Sequence, residues 1–365
     1  LTGLYGMLPP LPAVGGNEGV GKVVALGPDT KGPPVGQTVL LPVGCGSWST
    51  HIVAEAKALM PLPNDADPLQ LAMMTVNPPT ASLMLSEFVK LEPGEWVIQN
   101  VANSGVGSYL IQLAKARGFK TVNIVRRESA VAGVLETGGD VVLVDGPSLA
   151  KRVAEATGGA KIRLAIDAVG GSSTDNLANC LSEGGVLVNY GMMSGEPCQV
   201  SPASFVFRDV TLRGFWLAQW FRKASPEQRM AVFGEIAQLI ASGKLKSSIQ
   251  ATYGIDRIKE AVGAAAAGER DGKILMVPHG GLTYAGRAVI RTRQRSVCPA
   301  RPAEHGNGYL IERIFCVRFE AFLGAERDSD CSGLRGGWSP MIELTGQTLY
   351  IGHLRQPTAM AMGQM

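Results

Sequence analysis

Two short stretches carry residue types and spacings that could do chemistry. The first is A-N-S-G-V-G, from Ala102 to Gly107, set between a β-branched apolar run at Trp96 to Gln99 and a helical pattern that starts at Gly105. A strand-to-helix turn with little side-chain bulk lets a phosphate approach the helix N-terminus and take hydrogen bonds from unpaired N–H groups. Ala102, Ser104 and Gly107 stand at the three glycine positions of G-x-G-x-x-G; only the third is glycine, so an ordinary βα turn is the alternative reading. The second stretch is Arg126-Arg127, at the end of the next apolar run, roughly 20 residues past the turn, where NAD enzymes place an acid on the ribose hydroxyl. A guanidinium pair there favours the extra phosphate of NADPH, and a solvated basic pair is the alternative.

These residues need elements to hold them. Short β-branched runs at Trp96 to Gln99, Thr121 to Val125, Val141 to Val144, Leu164 to Asp167 and Val186 to Tyr190 are separated by helical patterns. The runs are continuously apolar, as expected for parallel strands covered on both faces, and their alternation with helices predicts a doubly wound α/β sheet. A helix from Gly105 to Arg117 has an apolar stripe at Val106, Leu110, Leu113 and Ala114, and Gly118 ends it. Before this unit, Gly15 to Leu62 is rich in Gly, Pro and Val, with runs at Val20 to Leu26 and Gln37 to Leu41 that predict small antiparallel strands. After it come a helix opened by Ser225-Pro226 and running to Ile240, a second from Asp256 to Ala267, and a strand at Lys273 to Val277.

The remainder, from about Pro278, has a different character. Its ten basic residues are all arginine, and it holds His279, His305 and His353 of the four histidines in the chain. No sustained period runs through it, which predicts a disordered or foreign tail; a small additional domain is the competing reading. The predicted division is therefore a β-rich domain over 1–80, a dinucleotide-binding domain over 81–220, a return to the first domain over 221–277, and the tail over 278–365.

Composition narrows the function classes. The 365 residues are ordinary in apolar content, and no stretch is apolar for long enough to cross a bilayer as a helix. The chain starts at Leu1, so the expectation is a piece whose own N-terminus, with the first strands of the β-rich domain and any targeting segment, is missing. The net charge of +3 lies wholly in the tail, because residues 1–277 balance 24 basic against 24 acidic residues. That gives no general case for a nucleic-acid partner. The six cysteines form no C-x-x-C pair, which points to structural thiols in a reducing compartment. His51 is a lone histidine with no partner at ligand spacing.

With the order β-rich segment, N-P-P-T-A, A-N-S-G-V-G, R-R, Y-G-M-M and R-G-F-W-L-A-Q-W in view, the chain resembles the medium-chain dehydrogenase/reductase superfamily. Within it, the zinc-free trans-2-enoyl thioester reductases of the mitochondrial fatty-acid synthesis type are most similar. The likeness covers about residues 1–277, and its most specific parts are Leu4 to Gly19 and Leu212 to Trp220. It implies a Rossmann sheet beside a GroES-like β-rich catalytic domain. It implies Tyr5 as the catalytic tyrosine, with a surface aromatic as the bland alternative. It also implies NADPH contacts at Asn77, at Asn103, Ser104, Gly105, Val106 and Gly107, at Arg126 and Arg127, at Tyr190, Gly191, Met192 and Met193, at Phe215, Trp216 and Leu217, and at Lys273. Phe215 and Trp216 read equally as core of a dimer-forming strand, and Lys273 as a solvated edge lysine. Zinc-dependent relatives carry G-H-E where this chain has Asn17 in G-G-N-E-G, so no zinc is expected.

The implied reaction is reduction of the C2=C3 double bond of an enoyl thioester, on CoA or acyl-carrier protein, with hydride to C3 and a proton to C2 from Tyr5. Trp216 and Trp220 are candidates for the wall of an acyl pocket, or for core packing. Rival readings are a quinone or enone reductase of the same superfamily and an inactive, truncated homologue. A homodimer joined through the strand around Leu212 to Phe215 is the family expectation, without nucleic acid or membrane. A bacterial style of sequence favours the cytoplasm, with the mitochondrial matrix if the source is eukaryotic.

Overall fold

The computed structural model describes residues 9–267, 270 and 272–278, together with the backbone of the strand at 308–317. The β-rich part starts with β1 (Gly19–Leu26), β2 (Thr38–Leu40), β3 (His51–Glu55) and β4 (Met60–Pro61). Two helices lead out of it: α1 (Pro68–Leu71), whose N-cap Asp67 accepts the Leu69 N–H, and α2 (Asn77–Met84), buried along its whole length.

From there strand and helix alternate: β5 (Trp96–Gln99), α3 (Gly105–Ala116), β6 (Lys120–Val125), α4 (Val131–Glu136), β7 (Val141–Val144), α5 (Leu149–Thr157), β8 (Ile162–Asp167), α6 (Gly171–Ala178), β9 (Val186–Asn189), α7 (Pro202–Arg208) and β10 (Thr211–Gly214). The six strands pair in parallel in the order β10-β9-β8-β5-β6-β7. Chain order reverses between β5 and β8, which makes their carboxyl ends the crevice where an open α/β sheet takes its ligand. Both faces are covered, which is why the strands read as unbroken apolar runs. Val97, Leu164 and Val188 pack with Leu110 and Leu113 of α3, while Ile98, Ala165 and Leu187 pack with Leu177 of α6 on the other side.

The chain then enters α8 (Leu217–Lys223) and α9 (Pro226–Ala241). Ser225 and Gln228 form a reciprocal capping box at the start of α9, and Pro226 at its first position needs no N–H partner. Phe233, Ile236, Ala237 and Ile240 of α9 join the core that contains α2 and α3. β11 (Ile249–Gly254), α10 (Ile258–Ala266) and β12 (Lys273–Val277) follow, and the two strands pair in parallel within the β-rich sheet. The expected helix from Asp256 to Ala267 is thus shorter, because Ile255–Arg257 tightens into a 3-10 turn.

Part of the predicted tail falls within the described residues. The tail without periodic structure contains β13 (Gly308–Val317), seated inside the β-rich sheet, whose order is β11-β12-β13-β1-β2-β4. β13 runs antiparallel to β1 on one side; on the other it pairs with β3 through Gly308 to Glu312 and with β12 through Phe315 to Val317. The local sequence hides this strand because Glu312-Arg313 interrupts its apolar run, and the partners that satisfy its backbone come from distant parts of the chain. Residues 279–307 and 318–365 of the predicted tail lie outside the described residues.

Candidate functional site at the carboxyl edge of the parallel sheet

The turn after β5 is built by local constraints. Val101 takes a left-handed backbone, φ 50°, a strained conformation for a β-branched residue that persists only when its surroundings hold it. Those surroundings are the Ala102 N–H donated to Ile124 O at 3.2 Å, which ties the turn to β6, and the Ser104 N–H donated to Val101 O at 2.9 Å. Ser104 is the N-cap of α3, and its Oγ accepts the Gly107 N–H at 3.0 Å. The N–H groups of Gly105 and Val106 are among those that helix geometry leaves without an intrahelical acceptor. Gly107 is needed for close packing: a Cβ there would lie 2.6 Å from Ala102 O and 2.8 Å from its carbonyl carbon. The single glycine retained from the dinucleotide pattern is therefore the one that lets helix meet strand.

Gly105 has a different neighbourhood. A Cβ on it would lie 2.6 Å from Lys273 Nζ and 2.7 Å from Asn77 Nδ2. Three residues from three elements, β12, α2 and α3, thus converge on the amino end of one helix. Donors and the positive end of the helix dipole face the same small space, an arrangement that favours an anion. Arg126 and Arg127 follow β6 directly, two and three residues past the Ile124 carbonyl that holds the turn; Arg126 is exposed and Arg127 half-buried. The residues present fit the phosphates of NADPH: bare glycine backbone, an ammonium and an amide at the helix end, and guanidinium groups at the neighbouring strand end.

The other expected contacts fall along the same sheet edge. Tyr190 and Gly191 are half-buried just past β9, and Met192 and Met193 are exposed. The Tyr190 N–H donates to Asp167 O at 2.9 Å, and the Phe215 N–H donates to Asn189 O at 2.9 Å, which brings 189–191 beside 215. Phe215 packs edge-on against Phe88, with ring centroids 6.0 Å apart. Trp216 is exposed under the Arg222 guanidinium, and Leu217 is buried at the start of α8. Trp220 packs on Phe221, which stacks on Phe233. Asn103 is exposed at the tip of the turn. Tyr5 lies outside the described residues.

Sequence reasoning missed a buried polar cluster beneath this edge. Asp167, the last residue of β8, is fully buried and accepts from Asn100 Nδ2, Thr174 Oγ1 and Asn189 Nδ2 at 2.6, 2.7 and 3.0 Å. A second ladder runs from Gln99, which donates to Gly107 O at 3.1 Å and to Asn123 Oδ1 at 2.8 Å, and from Asn123, which donates to Thr121 Oγ1 at 2.8 Å. The available signal was polar residues closing otherwise apolar strands, Q-N at 99–100 and D at 167. Among the described residues no group of three or more His, Cys, Asp or Glu side chains is placed to hold a metal ion, and no helix is long and apolar enough to cross a membrane.

Comparison with known proteins agrees with this geometry. Residues 1–64 match the alcohol dehydrogenase GroES-like domain, and residues 105–233 match the zinc-binding dehydrogenase family. The mitochondrial enoyl-[acyl-carrier-protein] reductase of Rattus norvegicus is 39% identical over 251 residues, covering 67% of this chain and 67% of that protein. A solved Etr1p/NADP/crotonyl-CoA complex is 26% identical with a TM-score of 0.64, covering 69% of this chain and 78% of that one. A structure described as a putative NADPH:quinone reductase from Bacillus thuringiensis is 26% identical with a TM-score of 0.67, covering 75% and 83%. With the strand order, the turn and the glycine cradle in place, this chain belongs to the medium-chain dehydrogenase/reductase superfamily, as a relative of the mitochondrial enoyl-[acyl-carrier-protein] reductases.

Proposed function

We propose that the chain is an NADPH-dependent reductase of trans-2-enoyl thioesters. The observation that carries this is the convergence of Lys273, Asn77 and the amino end of α3 on Gly105, with Arg126 and Arg127 on the adjoining strand end. When bound, NADPH supplies the hydride that goes to C3 of the conjugated double bond. Lys273, Asn77 and the N–H groups of Gly105 and Val106 hold the pyrophosphate, and the arginine pair holds the 2′-phosphate. Tyr190 to Met193 and Phe215 to Leu217 border the place where substrate and nicotinamide meet. Charge that develops on the thioester oxygen needs hydrogen-bond donors and a proton delivered to C2, and Tyr5 is the acid in this scheme. The scheme uses no zinc, since Asn17 stands where zinc-dependent relatives carry histidine. Support for the substrate class comes from the rat relative's name and from crotonyl-CoA in the solved complex.

A second reading, quinone reduction, has the Bacillus thuringiensis likeness in its favour. One assay separates the two: oxidation of NADPH with crotonyl-CoA, a longer enoyl-CoA and a naphthoquinone. Turnover with the enoyl thioesters and little with the quinone is expected; the reverse order overturns the proposal.

We further infer a homodimer through β10. It is an edge strand that pairs only with β9 among the described residues, and Phe205, Val206 and Phe207 of the neighbouring α7 are exposed. The names of the curated relatives support a mitochondrial site if the source is eukaryotic; a cytoplasmic site otherwise rests on the bacterial style of the sequence alone.

A further inference from the structure

The wholly buried carboxylate of Asp167 joins three strand ends. Its Oδ1 accepts Asn100 Nδ2 at 2.6 Å, the Val169 N–H at 2.8 Å and the Gly170 N–H at 3.3 Å. Its Oδ2 accepts Thr174 Oγ1 at 2.7 Å and Asn189 Nδ2 at 3.0 Å. Every partner donates, so a carboxylate suits the position and an amide would turn its NH2 toward donors.

The partners carry this tie outward. Asn100 Oδ1 accepts the Ala168 N–H at 2.8 Å, and Asn189 Nδ2 also donates to Gly191 O at 2.9 Å. Ala168 O and Val169 O then accept the Met193 and Ser194 N–H groups at 3.1 and 2.9 Å. At Gly191 the two loops are so close that a Cβ would lie 2.7 Å from Ala168 O. The backbone at 168–170 and 190–194 is thus fixed to itself and to Asn100, the residue just before the strained Val101.

We propose that Asp167 is a positioning residue for the nicotinamide half of the cofactor: through Asn189 and the loop at 168–170 it sets the backbone of Tyr190 to Met193. This rests on the NADPH reading above. In a doubly wound sheet the dinucleotide spans the switch point, with its phosphates at the turn after β5. The arginines after β6 take the adenosine side, so the loops after β8 and β9, across the switch point, face the other half.

The test measures two affinities, for NADPH and for its adenosine-side fragment 2′,5′-ADP, together with hydrogen exchange of the Tyr190 to Met193 amides in unliganded protein. Asp167→Asn should weaken NADPH about tenfold or more, the scale of one buried group left unsatisfied, and leave 2′,5′-ADP within about twofold. Exchange at 190–193 should accelerate. Asn189→Ala, which spares four of the five donors to the carboxylate, should show the same selective loss and decides the matter if Asp167→Asn does not fold. Ser204→Ala, which removes a buried hydroxyl bonded to Arg208 ahead of the amino end of β10, should lower Tm and move neither affinity. Equal losses for both ligands, or no loss in the foldable variants, overturn the positioning role. A native chain that binds neither ligand overturns the cofactor reading and this inference with it.

Discussion

Lys273 and Gly105 lie far apart in the sequence and meet at one helix terminus: a Cβ on the glycine would stand 2.6 Å from the lysine Nζ. The contact joins the β-rich sheet to the phosphate turn, and it makes the two glycines of the turn behave differently under substitution. In Gly105→Ala the obstructing atoms are the far ends of the Lys273 and Asn77 side chains, which can yield. NADPH affinity should fall about tenfold while Tm changes little. In Gly107→Ala the obstruction is Ala102 backbone, which cannot yield, and the fold should lose about 1–3 kcal/mol in urea unfolding.

Arg126 and Arg127 should set the choice between nicotinamides. If the pair holds the 2′-phosphate as proposed, Arg126→Ala with Arg127→Ala removes charge-assisted bonds worth about 1.5–3 kcal/mol each, so NADPH affinity should drop at least about tenfold to a hundredfold, the loss from a single such bond. NADH affinity should hardly change. Titration of both nicotinamides against both proteins checks this; an unchanged ratio removes the pair from the site.

Tyr5→Phe should lower kcat for enoyl-CoA reduction by about a hundredfold or more, the usual scale for a lost general acid, with NADPH affinity preserved. A variant with near-native turnover takes Tyr5 out of the scheme.

Much of this site was legible in order of residues alone because its parts are local. The turn lies within eight residues of β5, and strands buried on both faces leave apolar runs that need no partner to be recognised. Ser225-Pro226 announces α9 by itself. What stayed hidden depends on separation: Asp167 has meaning only with Asn100, 67 residues earlier, and Asn189, 22 residues later. Lys273 was as easily read as a solvated edge lysine, and only the folded chain brings it to Gly105.

Glu95 offers a pH test away from the site. Hydrogen bonds from Arg163 first, and then from the Glu92 backbone, hold its carboxyl below the usual range. A depressed carboxyl stabilises the fold above its unfolded-state value and loses that contribution as pH falls through the folded-state value. Native protein should therefore exceed Glu95→Gln in Tm by a small margin at neutral pH, since the pair is partly exposed, and the margin should vanish in acid. A margin that grows in acid contradicts the sign.

Cys180 and Cys198 should differ in reactivity. Burial pushes the Cys180 thiol up to about 12, Asp145 adds to the effect, and its Sγ–H donates to Asn176 O. Cys198 is exposed. Brief iodoacetamide treatment of the folded protein at mildly alkaline pH should label Cys198 and leave Cys180 unlabelled by peptide mass spectrometry; rapid labelling of Cys180 would contradict its burial.

The position of β13 sets an order of events during biosynthesis. β1, β3 and β12 each pair with it and not with one another, so the sheet stays in three pieces until residues 308–317 have left the ribosome. The parallel sheet, whose strands all lie between 96 and 214, can assemble well before that. Lys273 belongs to the later half of this order of events, so the phosphate turn is shaped first and receives its lysine only after the whole parallel sheet has been made.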